Sequence, residues 1–85
     1  MSAPPTPTQL NVLTFIHHQR EGRGVPPTIR EIGEWFGWSS TNGTADFIRA
    51  LETKGLLVHE RGRARTMRLT AAGLRWVTGL ERRAS

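Results

Sequence analysis

The chain has 85 residues, no cysteine and a formal net charge of +5. That length supports one compact domain with one small core, and the lack of cysteine excludes a disulfide scaffold and a thiolate metal site. No charged start leads into an apolar run and no apolar stretch approaches the roughly 20 residues of a membrane span. A cytoplasmic protein without membrane contact is therefore expected.

Residues 1–8, MSAPPTPT, hold three prolines and read as a flexible N-terminal arm. From Gln9 to about Gly22, Leu10, Val12, Leu13, Phe15 and Ile16 recur at helical spacing, with Asn11, Thr14, His17 and His18 on the other side. Gly22, Gly24 and the pair Pro26-Pro27 break this first helix. Thr28 opens a second helix with a capping box to Glu31, and Ile29, Ile32 and Phe36 form its apolar stripe with Trp35 flanking it. Gly37 closes that helix and Trp38 is expected to pack under the turn. Ser39, Ser40 or Thr41 can cap a third helix, whose Phe47, Ile48 and Leu51 turn inward and which Gly55 stops.

Two alternating runs, Leu56 to Glu60 and Thr66 to Leu69, pair as a hairpin whose tip is Arg61-Gly62-Arg63-Ala64-Arg65. Three cations with no acid among them are expected to lie free along a phosphate backbone. Thr70 caps a last helix with Leu74, Val77 and Leu80 on one face, weakened by Gly73 and Gly79, which either covers the core or meets a second copy. The expected fold is mainly α with a small β-hairpin: a winged helix-turn-helix at 9–69 with three helices and a wing, then a C-terminal helix and short basic tail at 70–85.

The charge is segregated along the chain. From Arg61 onward seven arginines face one acid, Glu81, a local excess of six, so residues 1–60 carry one net negative charge. A basic face confined to one segment is the electrostatic footprint of a phosphate-binding surface, although a pI near 11.6 also serves solubility alone. With Phe47, Ile48 and Leu51 inward, the third helix leaves Thr41, Asn42, Ala45, Asp46, Arg49 and Thr53 outside. Asn can pair with adenine, Arg with guanine, Asp can accept from cytosine, and Ala or the Thr methyl can touch the thymine methyl. The same residues would suit a solvated face; the order of helix, turn, helix and basic hairpin favours the major groove.

These residues resemble a known family. The run from Gln9 through Leu69, with VPPTIREIG, GWSSTN, ALETKGLL and RTMRL, is similar to the N-terminal DNA-binding domain of LexA repressors. The resemblance implies a third helix in the major groove and a wing on the backbone. It places Ser40, Asn42, Gly43, Ala45 and Asp46 where that family reads its operator. The candidate DNA-binding set is thus Ser40, Thr41, Asn42, Gly43, Ala45, Asp46 and Arg49 on the helix, with Arg61, Arg63, Arg65 and Arg68 on the wing. Gly43-Thr44 and Ala45-Asp46 stand where the family has two alanines and two glutamates, so a different operator is expected. LexA repressors continue into a dimerising, self-cleaving domain; its absence after Ser85 implies no self-cleavage.

Catalysis is not expected. Ser39 and Ser40 lack a glycine-elbow context, the acids are not paired for acid–base work, and Gly22-Arg23-Gly24 is not a phosphate loop. The three histidines read as solvated or phosphate-facing, and Trp35, Trp38 and Trp76 as core or edge packing. No cofactor, metal or small-molecule effector is legible. The partner expected is double-stranded DNA, bound as a transcriptional regulator, in particular a repressor. A homodimer through Leu74, Trp76, Val77 and Leu80 would read a palindrome. The competing reading is a protein-interaction module of the same fold, a phage or plasmid accessory factor that binds a host regulator or polymerase.

Overall fold

The computed structural model describes residues 4–84, with side chains through Gly79. It is a winged helix-turn-helix. Helix α1 spans Pro7–Arg23, α2 Ile29–Phe36 and α3 Thr41–Thr53; strands β1 (Leu57–Val58) and β2 (Arg68–Leu69) follow, and α4 spans Ala71–Ala84. The strands are antiparallel, with Leu57 opposite Leu69 and Val58 opposite Arg68.

Helix α1 begins two residues before the point at which the apolar periodicity starts. Thr6 is its N-cap: the hydroxyl accepts from the Gln9 amide at 3.1 Å, while Gln9 Oε1 accepts from the Thr6 amide at 2.9 Å. Pro7 then sits in the first turn, where a missing N–H costs nothing. The segment read as an arm is also held from outside. Lys54, at the end of α3, donates to Gln9 Oε1 at 2.7 Å and to the Pro4 carbonyl at 3.2 Å. A proline-rich stretch gives no sign of such a bond, because its partner lies 50 positions away.

The core draws on every helix and on the base of the wing. Val12, Leu13 and Ile16 of α1 meet Ile32 of α2, Ile48 and Leu51 of α3, then Leu56, Leu57, Met67 and Val77. Alongside it runs an unbroken aromatic row. Trp35 stacks on Phe15 with centroids 5.0 Å apart, Phe15 meets Phe36 edge-on at 5.7 Å, Phe36 stacks on Trp38 at 5.3 Å, and Trp38 contacts Phe47 at 4.9 Å. Trp38 therefore does brace the turn. Trp35 ends the row 68% exposed, so its indole covers Phe15 and does not enter the core.

Helix α4 closes the core from the other side. The Thr70 hydroxyl caps it by accepting from the Gly73 amide at 3.1 Å, and donates to the Gly55 carbonyl at 2.6 Å. A side-chain carbon at Gly73 would fall far inside contact distance of the Leu56 carbonyl oxygen. Gly73, which local propensity counts as a weakness, is thus what lets α4 approach the strand. Among the described residues no helix is long and apolar enough to cross a membrane.

Candidate nucleic-acid interface

The helix-turn-helix is set by its two ends and one crossing. At the start of α2, Thr28 and Glu31 form the expected capping box, with the Thr28 amide 2.9 Å from Glu31 Oε1 and the Glu31 amide 3.1 Å from the Thr28 hydroxyl. At its end Gly37 takes φ 74°, a left-handed conformation that glycine adopts without steric cost. The Trp38 amide then bonds the Gly33 carbonyl at 2.8 Å, which fixes the turn. Gly33 and Thr44 make the crossing: both are buried, and a side-chain carbon on Gly33 would lie 3.0 Å from Thr44 Oγ1.

Of the three possible caps for α3, Ser40 is the one used. Its hydroxyl accepts from the Gly43 amide at 3.0 Å. Thr44 then donates to the Ser40 carbonyl at 3.0 Å, its hydroxyl turned into the helix and its bulk buried against α2. Ile48 and Leu51 are fully buried, and Phe47 is half-buried in the aromatic row. Ser40, Thr41, Asn42, Gly43, Asp46 and Arg49 are left on the exposed side with Ala45 half-buried. Two of these candidates already pair with each other: Arg49 Nη1 lies 2.7 Å from Asp46 Oδ1. This i, i+3 pair offsets the repulsion that a lone aspartate would exert on a phosphate.

The wing departs from expectation. Its tip is not an unpaired run of cations. Arg65 folds back onto α2, with Nη1 3.0 Å from Glu31 Oε1 and Nη2 3.3 Å from Glu31 Oε2. Nη1 also donates to the Pro26 carbonyl at 3.3 Å. Arg63 pairs with Glu60 at 3.2 Å. Among the described residues no acid pairs with Arg61 or Arg68, both of which are exposed. The acids that bind Arg63 and Arg65 lie outside the RGRAR run, which is why its composition looked uncompensated.

Glu31 is the electrostatic centre of this corner. Its carboxylate accepts from the Thr28 amide and the Arg65 guanidinium, and Arg23 stands 3.8 Å away. The backbone bond from Thr28 and then the Arg65 hydrogen bond, helped by the Arg65 and Arg23 charges, hold the carboxyl below its ordinary pKa against an opposing desolvation.

Two further placements differ from the sequence reading. His59 is largely buried and not freely solvated: its Nδ1 is enclosed 3.1 Å from Glu52 Oε1, close enough to pair but off hydrogen-bond alignment. Val77, expected on a partner surface, is fully buried in this chain's own core, whereas Leu74 and Trp76 are 42% and 44% exposed. Helix α4 follows the wing directly and has an inner face to fill, and Val77, about two turns along it, fills it. The Leu80 side chain lies outside the described residues.

Arg30 is a further cation beside this surface that the sequence reading did not include. It is exposed on the first turn of α2 and borders two shallow grooves, one toward the wing with Arg63 and Arg65, the other toward Ser39, Thr41 and Thr44. Its position directly before the capping glutamate was the available signal, since that is where a helix start faces outward.

The LexA DNA binding domain family profile matches residues 2–66. The LexA repressor of Anaeromyxobacter sp. (strain Fw109-5) is 50% identical over 62 residues, 73% of this chain and 27% of that protein. That of Myxococcus xanthus (strain DK1622) is 48% identical over 66 residues, covering 78% and 29%. That of Aromatoleum aromaticum is 45% identical over 69 residues, covering 81% and 34%. The matched segment spans about a third or less of these relatives, and β2 and α4 lie beyond the family match. With the capped α2, the Gly37 turn, α3 and the first strand of the wing all inside the matched segment, the chain belongs to the LexA DNA-binding-domain family.

Proposed function

We propose that this chain binds double-stranded DNA sequence-specifically and acts as a transcriptional regulator, repressing by occupying a promoter. Helix α3 enters the major groove and presents Ser40, Thr41, Asn42, Gly43, Ala45, Asp46 and Arg49, with Asn42 the principal base reader through its paired amide contacts. Arg61 and Arg68 bind backbone phosphates from the wing, Arg63 joins them by leaving the exposed Glu60, and Arg30 does so from the start of α2. The observation that carries this reading is the position of Ser40 to Arg49: one outward helix face held rigid by a buried crossing, beside a wing whose Arg61 has no acid partner among the described residues.

A module of this size makes few phosphate contacts, so two copies on a palindrome are proposed, with the exposed Leu74 and Trp76 as the partner surface. Selection of bound sequences from a random duplex pool at two salt concentrations tests the whole reading, with an enriched palindrome expected. Arg61→Ala should weaken binding to all duplexes and lower the salt slope by about 0.9, while Asn42→Ala should relax base preference at one position, at a cost of about 1–3 kcal/mol. Undetectable or salt-independent binding to every duplex would instead favour a protein partner.

A further inference from the structure

We infer that Arg65 is a positioning residue of the wing: through Glu31 it clamps the hairpin tip onto the helix-turn-helix, and it does not itself contact phosphate. This rests on the DNA-binding reading above and gives Arg65, expected from the sequence to bind phosphate, a different role. The geometry is that of a clasp between three segments. A single carboxylate receives the Thr28 amide at the start of α2, both terminal nitrogens of Arg65 from the wing, and Arg23 at 3.8 Å from the end of α1.

Three observations make the clasp more than a surface ion pair. The contact is two-pronged, which fixes orientation as well as distance. The same guanidinium reaches the Pro26 carbonyl at 3.3 Å, so the wing is tied to the backbone ahead of α2 even apart from charge. Arg65 also has φ 61°, a conformation that residues with a side chain adopt at a steric cost. The wing's own ladder has only the two residue pairs Leu57–Leu69 and Val58–Arg68. The tip is closed on itself by the Thr66 hydroxyl, which accepts from the Glu60 amide at 2.9 Å and donates to the Arg63 carbonyl at 3.1 Å; these bonds shape the tip, and the clasp is what ties so short a hairpin to the helix-turn-helix. Arg61 is thereby held at one place relative to α3.

The discriminating variants keep charge and change shape, or keep shape and remove charge. Arg65→Lys retains a cation able to meet a phosphate but loses the planar fork. Glu31→Gln removes the charge and can still close the capping box, since glutamine serves at that position. In the DNA-free chain, both variants should lower the backbone order of residues 61–66, read from 15N relaxation, while α3 keeps its order. An unchanged wing in Glu31→Gln would overturn the clasp. On the duplex recovered from the random pool, Arg65→Lys, Arg65→Ala and Glu31→Gln should each bind about fivefold more weakly. Their salt slopes should equal that of the unaltered chain, and the double variant Arg65→Ala/Glu31→Gln should be no weaker than either single change. Arg65→Lys binding like the unaltered chain, with Arg65→Ala lowering the slope by about 0.9, would make Arg65 a phosphate contact and overturn the inference. A chain that binds no duplex defeats the DNA reading, while the relaxation measurement still decides the clasp.

Discussion

Glu31 serves the helix cap and the wing with one carboxylate, and the two-pronged bond to Arg65 is the service that needs its charge. The Thr28 amide and the Arg65 and Arg23 charges favour the ionised form, so its folded pKa lies below the unfolded one. For such a group the stabilisation is fully present above the unfolded pKa and disappears as the pH falls through the folded pKa. Melting temperatures of the unaltered chain and Glu31→Gln should therefore differ most at neutral pH and converge as the pH falls through and below the ordinary carboxylate range. A difference that stays constant across that range would remove Glu31 from the acid response. The sequence located the cap from the four residues Thr28 to Glu31, because a capping box is local. It could not locate Arg65 on the same carboxylate, 34 positions away.

At the scale of elements, the two glycines of α4 have opposite meanings that propensity alone cannot separate. Both lie inside a helix, where glycine is less favourable than alanine by roughly 0.5–1 kcal/mol. Gly73 faces the Leu56 carbonyl with no room for a side chain, whereas among the described residues nothing lies within 4 Å of where one would stand on Gly79. Gly73→Ala should consequently destabilise the fold by about 1–3 kcal/mol as α4 is pushed off the strand. Gly79→Ala should raise stability by roughly 0.5–1 kcal/mol, both read from urea unfolding. Equal effects of the two changes would mean that α4 does not seat on Leu56 in solution. The periodicity of α1 to α3 was legible for a related reason: Ile32, Ile48 and Leu51 are buried by helices that pack through their most apolar stripe. Phe47 and Trp35 were less so, since an aromatic row places its members by ring contact and not by helical spacing.

For the whole molecule, the burial of Val77 leaves Leu74 and Trp76 as the exposed members, among the described residues, of the α4 face expected to meet a second copy. If α4 joins two copies on a palindrome, Leu74→Ser should reduce the affinity for the full site toward that for a half-site. It should leave the melting temperature nearly unchanged, because an exposed leucine contributes little to the core. Sedimentation of the complex checks this directly: two chains per duplex are expected, and a chain monomeric at tens of micromolar that binds one half-site would remove the dimer.

By itself the sequence determined the order of helices, turn and hairpin, the cap at Thr28, most of the core and the family resemblance. Each of these is written in residues close along the chain or in a repeating apolar pattern. Only the tertiary structure decided which arginines are engaged, that Lys54 holds Pro4 and Gln9, that His59 is enclosed beside Glu52 and that Val77 faces inward. Charge and polarity along a chain show what a residue can pair with. The partner is chosen by packing, which brings distant segments within reach and leaves the rest, Arg61 among them, turned to solvent.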